Sequence, residues 1–174
     1  LDSILEKLLV VKDLKTNNIK IEKINFNEVL DKSIKHLKYV QDFENIHIKV
    51  QVDNTLEFKS DGNLLELVFM NLIDNAIQFR DENKPSTNIS IDIYPENNFV
   101  TVCIKDNGIG MTKETVSKIF DKFYRAHTGD VHNVKGFGLG LNYTRKMVEA
   151  HQGSIDVQSA LNKGSIFKIS IPLV

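Results

Sequence analysis

Regular alternation of apolar and polar residues constrains the fold of this chain more than any other feature. The clearest segments are IHIKVQVD (46–53), NISIDIYP (88–95), FVTVCIKD (99–106) and SIFKISIP (165–172). A period of two predicts β-strands, and the second and third segments, joined by a short polar stretch, predict a hairpin. Weaker alternation at residues 19–26, 56–59 and 154–159 adds further candidate strands.

Apolar residues at helical spacing lie between these strands. They predict helices from Asn27 to about Asp42, from near Asp61 to near Arg80, over residues 112–120 and over residues 139–151. Asn27 is expected to cap the first helix, and Gly153 to end the last. The apolar side chains expected to face inward on the first helix are Val29, Leu30, Ile34 and Leu37. The predicted fold class is α+β: a two-layer α/β sandwich, with a mixed sheet of about five to six strands packed on three main helices.

The first 18 residues are expected to be separate from this sandwich. Their apolar residues recur at helical spacing until the pattern breaks at Asn17 and Asn18. A helix this short is marginal alone, so we expect it to pack on an upstream helix of the same chain or on a second subunit. The expected domains are therefore residues 1–18 and residues 19–174. Because the chain starts at Leu1, we also expect it to be part of a longer protein.

Composition excludes several classes of function. A net charge of −1 gives no electrostatic case for binding nucleic acid or an acidic membrane. No apolar run approaches the ~20 residues of a membrane span. The single cysteine, Cys103, suits a reducing compartment and is expected to be a buried strand residue. These features predict a cytoplasmic module, although the parent protein could be anchored in a membrane.

Two glycine clusters are candidates for binding a phosphorylated ligand. DNGIGM (106–111) follows a predicted strand, and GFGLGL (136–141) opens a predicted helix. Glycine permits close backbone approach to a ligand, and the N-terminus of a helix attracts phosphate. Each cluster alone fits an ordinary turn equally well. The sequence lacks a P-loop, and the first cluster lacks the third glycine of a dinucleotide-binding fold.

The helix MNLIDNAIQFR (70–80) carries Asn71 and Asn75, one turn apart on the same face. Carboxamides are poor helix formers and are costly to bury without hydrogen bonds. These side chains therefore either face solvent or are held for a ligand.

The ordered set of motifs identifies a family resemblance. The two asparagines, DNGIG, IFDKFYRA (119–126), an aperiodic segment (121–136) and GFGLGL follow one another in that order. They resemble the N, G1, F and G2 boxes of the catalytic ATP-binding domain of sensor histidine kinases. This family belongs to the Bergerat-fold (GHKL) superfamily, with DNA gyrase, a heat-shock chaperone and a mismatch-repair ATPase. The resemblance covers residues 19–174, and residues 1–18 are similar to the end of the preceding dimerisation and phosphoacceptor helix.

The resemblance implies a site for ATP and Mg²⁺. Asn75 corresponds to the magnesium ligand, and Asn71 to an asparagine beside the phosphates. Asp106 corresponds to the acceptor for the adenine amino group. Phe79 corresponds to the aromatic residue beside adenine, with core packing as its alternative role. The implied glycine-loop and phosphate-side residues are Gly108, Gly110, Arg125, Gly136, Gly138, Leu139 and Gly140. Residues 121–136 would form the ATP lid, with Phe120 and Phe123 anchoring it by packing.

Asn71 also separates two activities of the superfamily. In its ATPases, the corresponding residue is a glutamate that activates water. A carboxamide cannot take a proton at neutral pH, so Asn71 favours a kinase over an ATP-hydrolysing clamp.

The sequence departs from the family pattern at the usual N-box lysine, which is Gln78 here. Arg80 would replace it only if the helix ended first, because two residues turn a helix by roughly 200°. We expect Lys135 to supply the phosphate charge. The remaining alternative is a nucleotide-dead interaction module.

The family's phosphoacceptor is a histidine followed by an acidic residue. None of His36, His47, His127, His132 and His151 fits that pattern. The acceptor is therefore expected on an upstream dimerisation domain of the same protein, a homodimer at full length. By the resemblance, the downstream partner is the receiver domain of a response regulator.

Overall fold

The computed structural model describes residues 20–35, 37, 43–125 and 138–173, and the statements below refer to these residues. Its strands are β1 (Glu22–Lys23), β2 (Ile46–Val52), β3 (Lys59–Ser60), β4 (Thr87–Glu96), β5 (Phe99–Asp106), β6 (Ser154–Ala160) and β7 (Gly164–Pro172). Its helices are α1 (Phe26–Lys35), α2 (Gly62–Gln78), α3 (Lys113–Lys118) and α4 (Gly140–Ala150), with a 3₁₀ turn at Phe43–Asn45. No helix in the described segments has the length and apolarity needed to cross a membrane.

Five strands form one mixed sheet in the order β2-β4-β5-β7-β6. β2 runs parallel to β4, whereas the other neighbours are antiparallel, including the predicted β4–β5 hairpin. β1 and β3 form a separate two-stranded antiparallel pair. The helices pack on one another and against this sheet. The two-layer α+β sandwich is therefore confirmed.

Alternation places one face of the sheet in the core. On β4, Ile89, Ile91 and Ile93 are buried, while the intervening polar side chains lie on the other face. Helix α2 is central to the opposite layer, where Phe69 and Ile73 have no exposed surface. Burial of these apolar side chains is the main source of stability for such a sandwich.

The structure corrects the expectation that Cys103 is buried. Its side chain is half-buried, and Sγ lies 3.6 Å from the Tyr94 hydroxyl. The residue is on a strand, as predicted, but it belongs to the face away from the helices. His47, on the edge strand β2, is exposed.

The N-terminus of α2 is fixed by Asp61, which is 7% exposed. Its Oδ1 accepts hydrogen bonds from the N–H groups of Asn63 (3.0 Å) and Leu64 (3.1 Å). Its Oδ2 accepts from the Lys20 N–H at 2.9 Å. The predicted start of the helix is thus confirmed, and this cap also holds the segment that leads into β1.

Helix α1 begins earlier than predicted. Its capping side chain is Asn25, whose Oδ1 accepts from the Glu28 N–H at 3.4 Å while Nδ2 donates to Oε1 of Glu28 at 2.8 Å. The prediction of Asn27 as the cap was wrong, because Asn27 lies inside the helix. The helix is described to Lys35, and residues 36 and 38–42 lie outside the described residues. The inward face is confirmed, with Ile34 half-buried and the other three side chains buried.

Helix α4 ends at a left-handed residue that the sequence analysis did not identify. Gln152 has φ +57°, and its N–H donates to the Glu149 carbonyl at 2.9 Å. The Gly153 N–H donates to the Val148 carbonyl at 3.0 Å, which completes a Schellman motif. Gly153 is required for another reason: a Cβ there would lie 2.6 Å from the Ser170 carbonyl oxygen.

Candidate functional site

Asn71 and Asn75 occupy successive turns of α2, but their environments differ. Asn75 is half-buried, whereas Asn71 is 8% exposed. The Nδ2 of Asn71 is buried and has no hydrogen-bond partner among the described residues. A buried polar group without a partner costs about 1–3 kcal/mol. Asn71 is therefore not a solvent-facing residue, and its amide is a donor available to a ligand.

The N-terminus of α4 lies opposite Asn71. A Cβ built on Gly140 would lie 3.9 Å from Oδ1 of Asn71. Leu139, in the N-cap position, makes no side-chain hydrogen bond to the first turn. The first N–H groups of a helix have no partner within the helix and carry partial positive charge. Asn71 and the start of α4 thus present several donors to one region.

The turn before α4 requires glycine at Gly138. Its φ is +68°, and a Cβ there would lie 2.6 Å from the Tyr124 carbonyl oxygen. Its own carbonyl accepts from the Phe123 N–H at 3.0 Å. Gly138 therefore joins the segment after α3 to the segment that begins α4.

The first glycine loop contacts the C-terminus of α2. The Ile109 N–H donates to the carbonyl of Phe79, the C-cap residue of α2, at 3.0 Å. A Cβ on Gly108 would overlap that same carbonyl. Gly110 has φ +67°, and a Cβ on it would overlap the Ala160 carbonyl. Both glycines are therefore required for close backbone packing. The Phe79 side chain is half-buried.

Asp106 ends β5 at the edge of this loop and is 8% exposed. Its Oδ1 accepts from the N–H groups of Gly108 (2.8 Å) and Ser165 (3.3 Å). Both of its hydrogen bonds to described residues therefore end at Oδ1, which leaves Oδ2 for a ligand. Burial raises the pKa of the carboxyl above its ordinary value, while these hydrogen bonds and the charge of Lys84 partly offset that rise.

Gln78 lies outside this group of donors. Its side chain is exposed, and Nε2 donates to Oδ2 of Asp74 at 2.6 Å. Helix α2 ends at Gln78, so Arg80 follows the helix rather than continuing its face. The Arg80 side chain is 26% exposed, donates to the Ile77 carbonyl at 3.3 Å and lies 3.8 Å from Oε1 of Glu82. Arg80 therefore binds the C-terminus of α2.

The two phenylalanines after α3 have different roles. Phe120 is 6% exposed, and the Arg145 guanidinium lies 4.0 Å from the centroid of its ring. Phe123 is 70% exposed and has φ +63°. Packing by Phe120 is confirmed, but the prediction that Phe123 anchors the segment by packing was wrong. Arg125, two residues later, is exposed.

Part of the predicted site lies outside the described residues. This holds for Lys135 and Gly136, for most of the predicted lid, and for His127 and His132. Among the predicted site residues, Asn71 and Asn75 lie on α2 and Phe79 is its C-cap. Gly108 packs against the Phe79 carbonyl, and Gly140 lies opposite Asn71. Asp106 and Gly110 belong to the same loop as Gly108.

Two residues of this region were missed by the sequence analysis. Ser165 donates its backbone N–H to Asp106, and the Lys84 ammonium donates to the Asn107 carbonyl at 2.6 Å. Ser165 contributes only a backbone group, so its side chain gave no signal. Lys84 lies in a polar loop whose composition predicts only a turn.

Comparison with known families gives a match over most of the chain. Residues 60–174 match the family described as histidine kinase-, DNA gyrase B-, and HSP90-like ATPase. The sensor protein RprX of Bacteroides fragilis is 36% identical over 166 residues, which cover 93% of this chain and 31% of that protein. This chain spans between about a fifth and a third of the length of the first curated relatives that it matches.

Solved structures share the architecture. The catalytic domain of histidine kinase ThkA superposes with a TM-score of 0.73 at 28% identity, covering 88% of this chain and 96% of that one. Full-length ShkA, solved in complex with AMPPNP, superposes with a TM-score of 0.78. At 18% identity, over 99% of this chain and 36% of ShkA, the second likeness concerns the fold alone.

Proposed function

Because the chain belongs to the histidine kinase-, DNA gyrase B- and HSP90-like ATPase family, we propose that it is the ATP-binding catalytic domain of a sensor histidine kinase. The observation that carries the proposal is the buried Asn71 amide, which has no hydrogen-bond partner among the described residues and lies opposite the N-terminus of α4. Such an arrangement suits an anionic group. The names of its relatives, sensor proteins and histidine kinases, point to the same role.

The described residues fit a bound ATP at two places along α2. Near its C-terminus, Oδ2 of Asp106 has no hydrogen bond to a described residue and is an acceptor suited to the adenine amino group, whereas a carbonyl at that position of guanine would be rejected. Near its middle, Asn71 and the first turn of α4 offer donors to phosphate. The proposed ligand is of the same class as AMPPNP, the nucleotide in the ShkA structure that shares this fold.

Asn75 is the residue we propose to hold Mg²⁺, because an amide oxygen is a ligand that this hard cation accepts. When bound, Mg²⁺ neutralises part of the phosphate charge. Asn71 offers no carboxylate to activate water, so the chain is built to position a phosphoryl donor rather than to hydrolyse it. We propose Arg125 and Lys135 as further cationic contacts for the phosphates.

The phosphoryl acceptor is proposed to be a histidine on an upstream dimerisation domain of the same protein. Residues 1–18 would be the end of that domain, and residues 19–174 the catalytic domain. The full-length protein would be a homodimer, and the receiver domain of a response regulator would take the phosphoryl group next. A domain that uses ATP in this way would function in the cytoplasm, whether or not its parent protein is anchored in a membrane.

One observation favours a second candidate, a nucleotide-dead interaction module. Gln78 provides no positive charge at the usual position of the N-box lysine, and its amide is bonded to Asp74 instead. Loss of one charge-assisted phosphate contact costs roughly 1.5–3 kcal/mol. An ATP-hydrolysing clamp is disfavoured by Asn71.

Calorimetric titration with Mg²⁺ and AMPPNP distinguishes the candidates. We expect binding tighter than about 1 mM for AMPPNP, corresponding to a free energy beyond roughly −4 kcal/mol, and much weaker binding for the matching GTP analogue. Asn75→Ala should bind poorly, whereas Asn63→Ala, which alters an exposed asparagine of the same helix, should bind normally. Absence of binding by the folded wild-type chain would favour the nucleotide-dead module. Magnesium-dependent ATP hydrolysis by the isolated chain would favour the clamp.

A further inference from the structure

Lys84 lies in the loop between α2 and β4, and its side chain is 29% exposed. Its ammonium donates to two backbone carbonyls, that of Asn107 at 2.6 Å and that of Asn162 at 3.1 Å. Oδ2 of Asp81, 12% exposed, lies 3.6 Å from the same ammonium. The ammonium thus makes two hydrogen bonds to backbone carbonyls and an ion pair with Asp81.

The two carbonyls belong to segments that enclose the first glycine loop. Asn107 begins this loop, directly after Asp106. Asn162 lies in the β6–β7 turn with φ +61°, and its N–H donates to the Ile109 carbonyl at 2.7 Å. Ile109 in turn donates to Phe79 at the end of α2. The ammonium therefore lies where the 81–86 loop, the glycine loop and the β6–β7 turn meet.

Neighbouring residues also hold the Asn107 side chain. Its Oδ1 accepts from the Asn88 N–H at 2.8 Å, and its Nδ2 donates to the Ser86 carbonyl at 3.0 Å. Besides the hydrogen bond between Asn162 and Ile109, Lys84 adds a connection from the Asn107 carbonyl to the β6–β7 turn. Hydrogen bonds from an ionised donor are roughly twice as strong as neutral ones.

Lys84 also acts on Asp106 through its charge. Among the charged side chains of the described residues, it is the one that lowers the pKa of this buried carboxyl, against the rise caused by burial. The same side chain thereby favours the ionised form of Asp106 and fixes the loop that supplies its Gly108 hydrogen bond.

We propose that Lys84 is a positioning residue for the base-binding end of the site. It fixes the Asn107–Gly110 loop against the β6–β7 turn so that Asp106 presents Oδ2 to the nucleotide base. The expected effect of Lys84 on nucleotide binding rests on the proposed function, whereas its effect on the loop does not depend on any ligand.

The test compares Lys84→Met, which keeps the length but removes the donors and the charge, with Lys84→Arg, which keeps the charge. Lys163→Met is the matched control, because Lys163 is an exposed lysine of the β6–β7 turn. Two readouts are required: amide chemical shifts and hydrogen exchange of residues 107–110 without ligand, and calorimetric affinity for Mg²⁺ and AMPPNP from pH 5 to pH 8.

Without ligand, Lys84→Met should shift the amides of Gly108 and Ile109 and speed their exchange, while Lys163→Met leaves them unchanged. Affinity for AMPPNP at neutral pH should fall roughly tenfold in Lys84→Met. The pH at which affinity is lost on acidification should rise, because removal of a positive charge favours the protonated carboxyl. Lys84→Arg should restore that pH dependence.

An unchanged glycine loop in folded Lys84→Met would overturn the proposal, whatever the nucleotide does. Equal losses of affinity in Lys84→Met and Lys163→Met would also overturn it, because only net charge would then matter. If the wild-type chain fails to bind AMPPNP while the loop still responds to Lys84→Met, the proposed function fails and the positioning role of Lys84 stands.

Discussion

Substitution of Gly140 by alanine should stabilise the protein and weaken nucleotide binding at the same time. Gly140 is the first residue of α4, and among the described residues an added Cβ would meet Oδ1 of Asn71 alone, at an ordinary contact distance of 3.9 Å. Alanine in place of glycine reduces the entropy of the unfolded chain, which is worth about 0.4–1 kcal/mol at a compatible site. For a chain of this size, such a gain raises Tm by roughly 1–4 °C.

The same methyl group would enter the region between Asn71 and the α4 N-terminus where we place the phosphates. Loss of one charge-assisted hydrogen bond there costs about 1.5–3 kcal/mol, or roughly 10- to 150-fold in affinity for AMPPNP. Thermal denaturation and calorimetry on one preparation measure both effects. Gly110→Ala is the comparison, because its positive φ and its overlap with the Ala160 carbonyl predict a loss of stability.

Two results would refute this reasoning. A drop in Tm for Gly140→Ala as large as that for Gly110→Ala would show that Gly140 has no room for a methyl group. Unchanged AMPPNP affinity in a stabilised Gly140→Ala would show that the phosphates do not lie at the start of α4.

Three further predictions concern stability. The pKa of Asp106 is raised in the folded state, so the stability that its protonated carboxyl contributes is full below the ordinary aspartate pKa and is lost as pH rises through the raised value. Asp106→Asn should therefore flatten the pH dependence of Tm between these two pKa values. An unaltered profile would contradict the shift. Phe123→Gly should raise the free energy of unfolding by up to about 1–2 kcal/mol, because it removes a left-handed non-glycine residue that is 70% exposed. Phe120→Ala should instead lower it by about 3–5 kcal/mol, and similar effects of the two changes in denaturant titrations would contradict the assigned roles. Asp61→Ala should cost about 0.5–2 kcal/mol through loss of the α2 cap, whereas Asp61→Asn, which can still accept from the helix N–H groups, should cost less in the same titrations.

Much of the fold was predictable because its signals are local. The alternation in β4 and β5, their hairpin and the start of α2 near Asp61 all depend on residues close together in the chain. The errors also have local causes. Asn25 and Asn27 are equally good capping residues by type, and only the helix start distinguishes them. Phe123 was predicted to be an anchor because it is apolar. The type of the residue does not show that its backbone has φ +63° or in which direction its side chain then lies.

The candidate site divides in the same way. The chemical groups of the site can be read directly from the sequence: two asparagines one turn apart on α2, a carboxylate at the end of β5 and glycines at both loops. That the amide of Asn71 is buried opposite Gly140, with no partner among the described residues, follows only from the packing of α2 against α4. The tertiary structure also decided that Ser165, 59 residues away in the chain, completes the hydrogen bonding of Asp106. Periodicity and capping determine local conformation. The position of a hydrogen-bond donor relative to a ligand site depends on contacts between segments that are distant in the chain and pack together only in the folded protein.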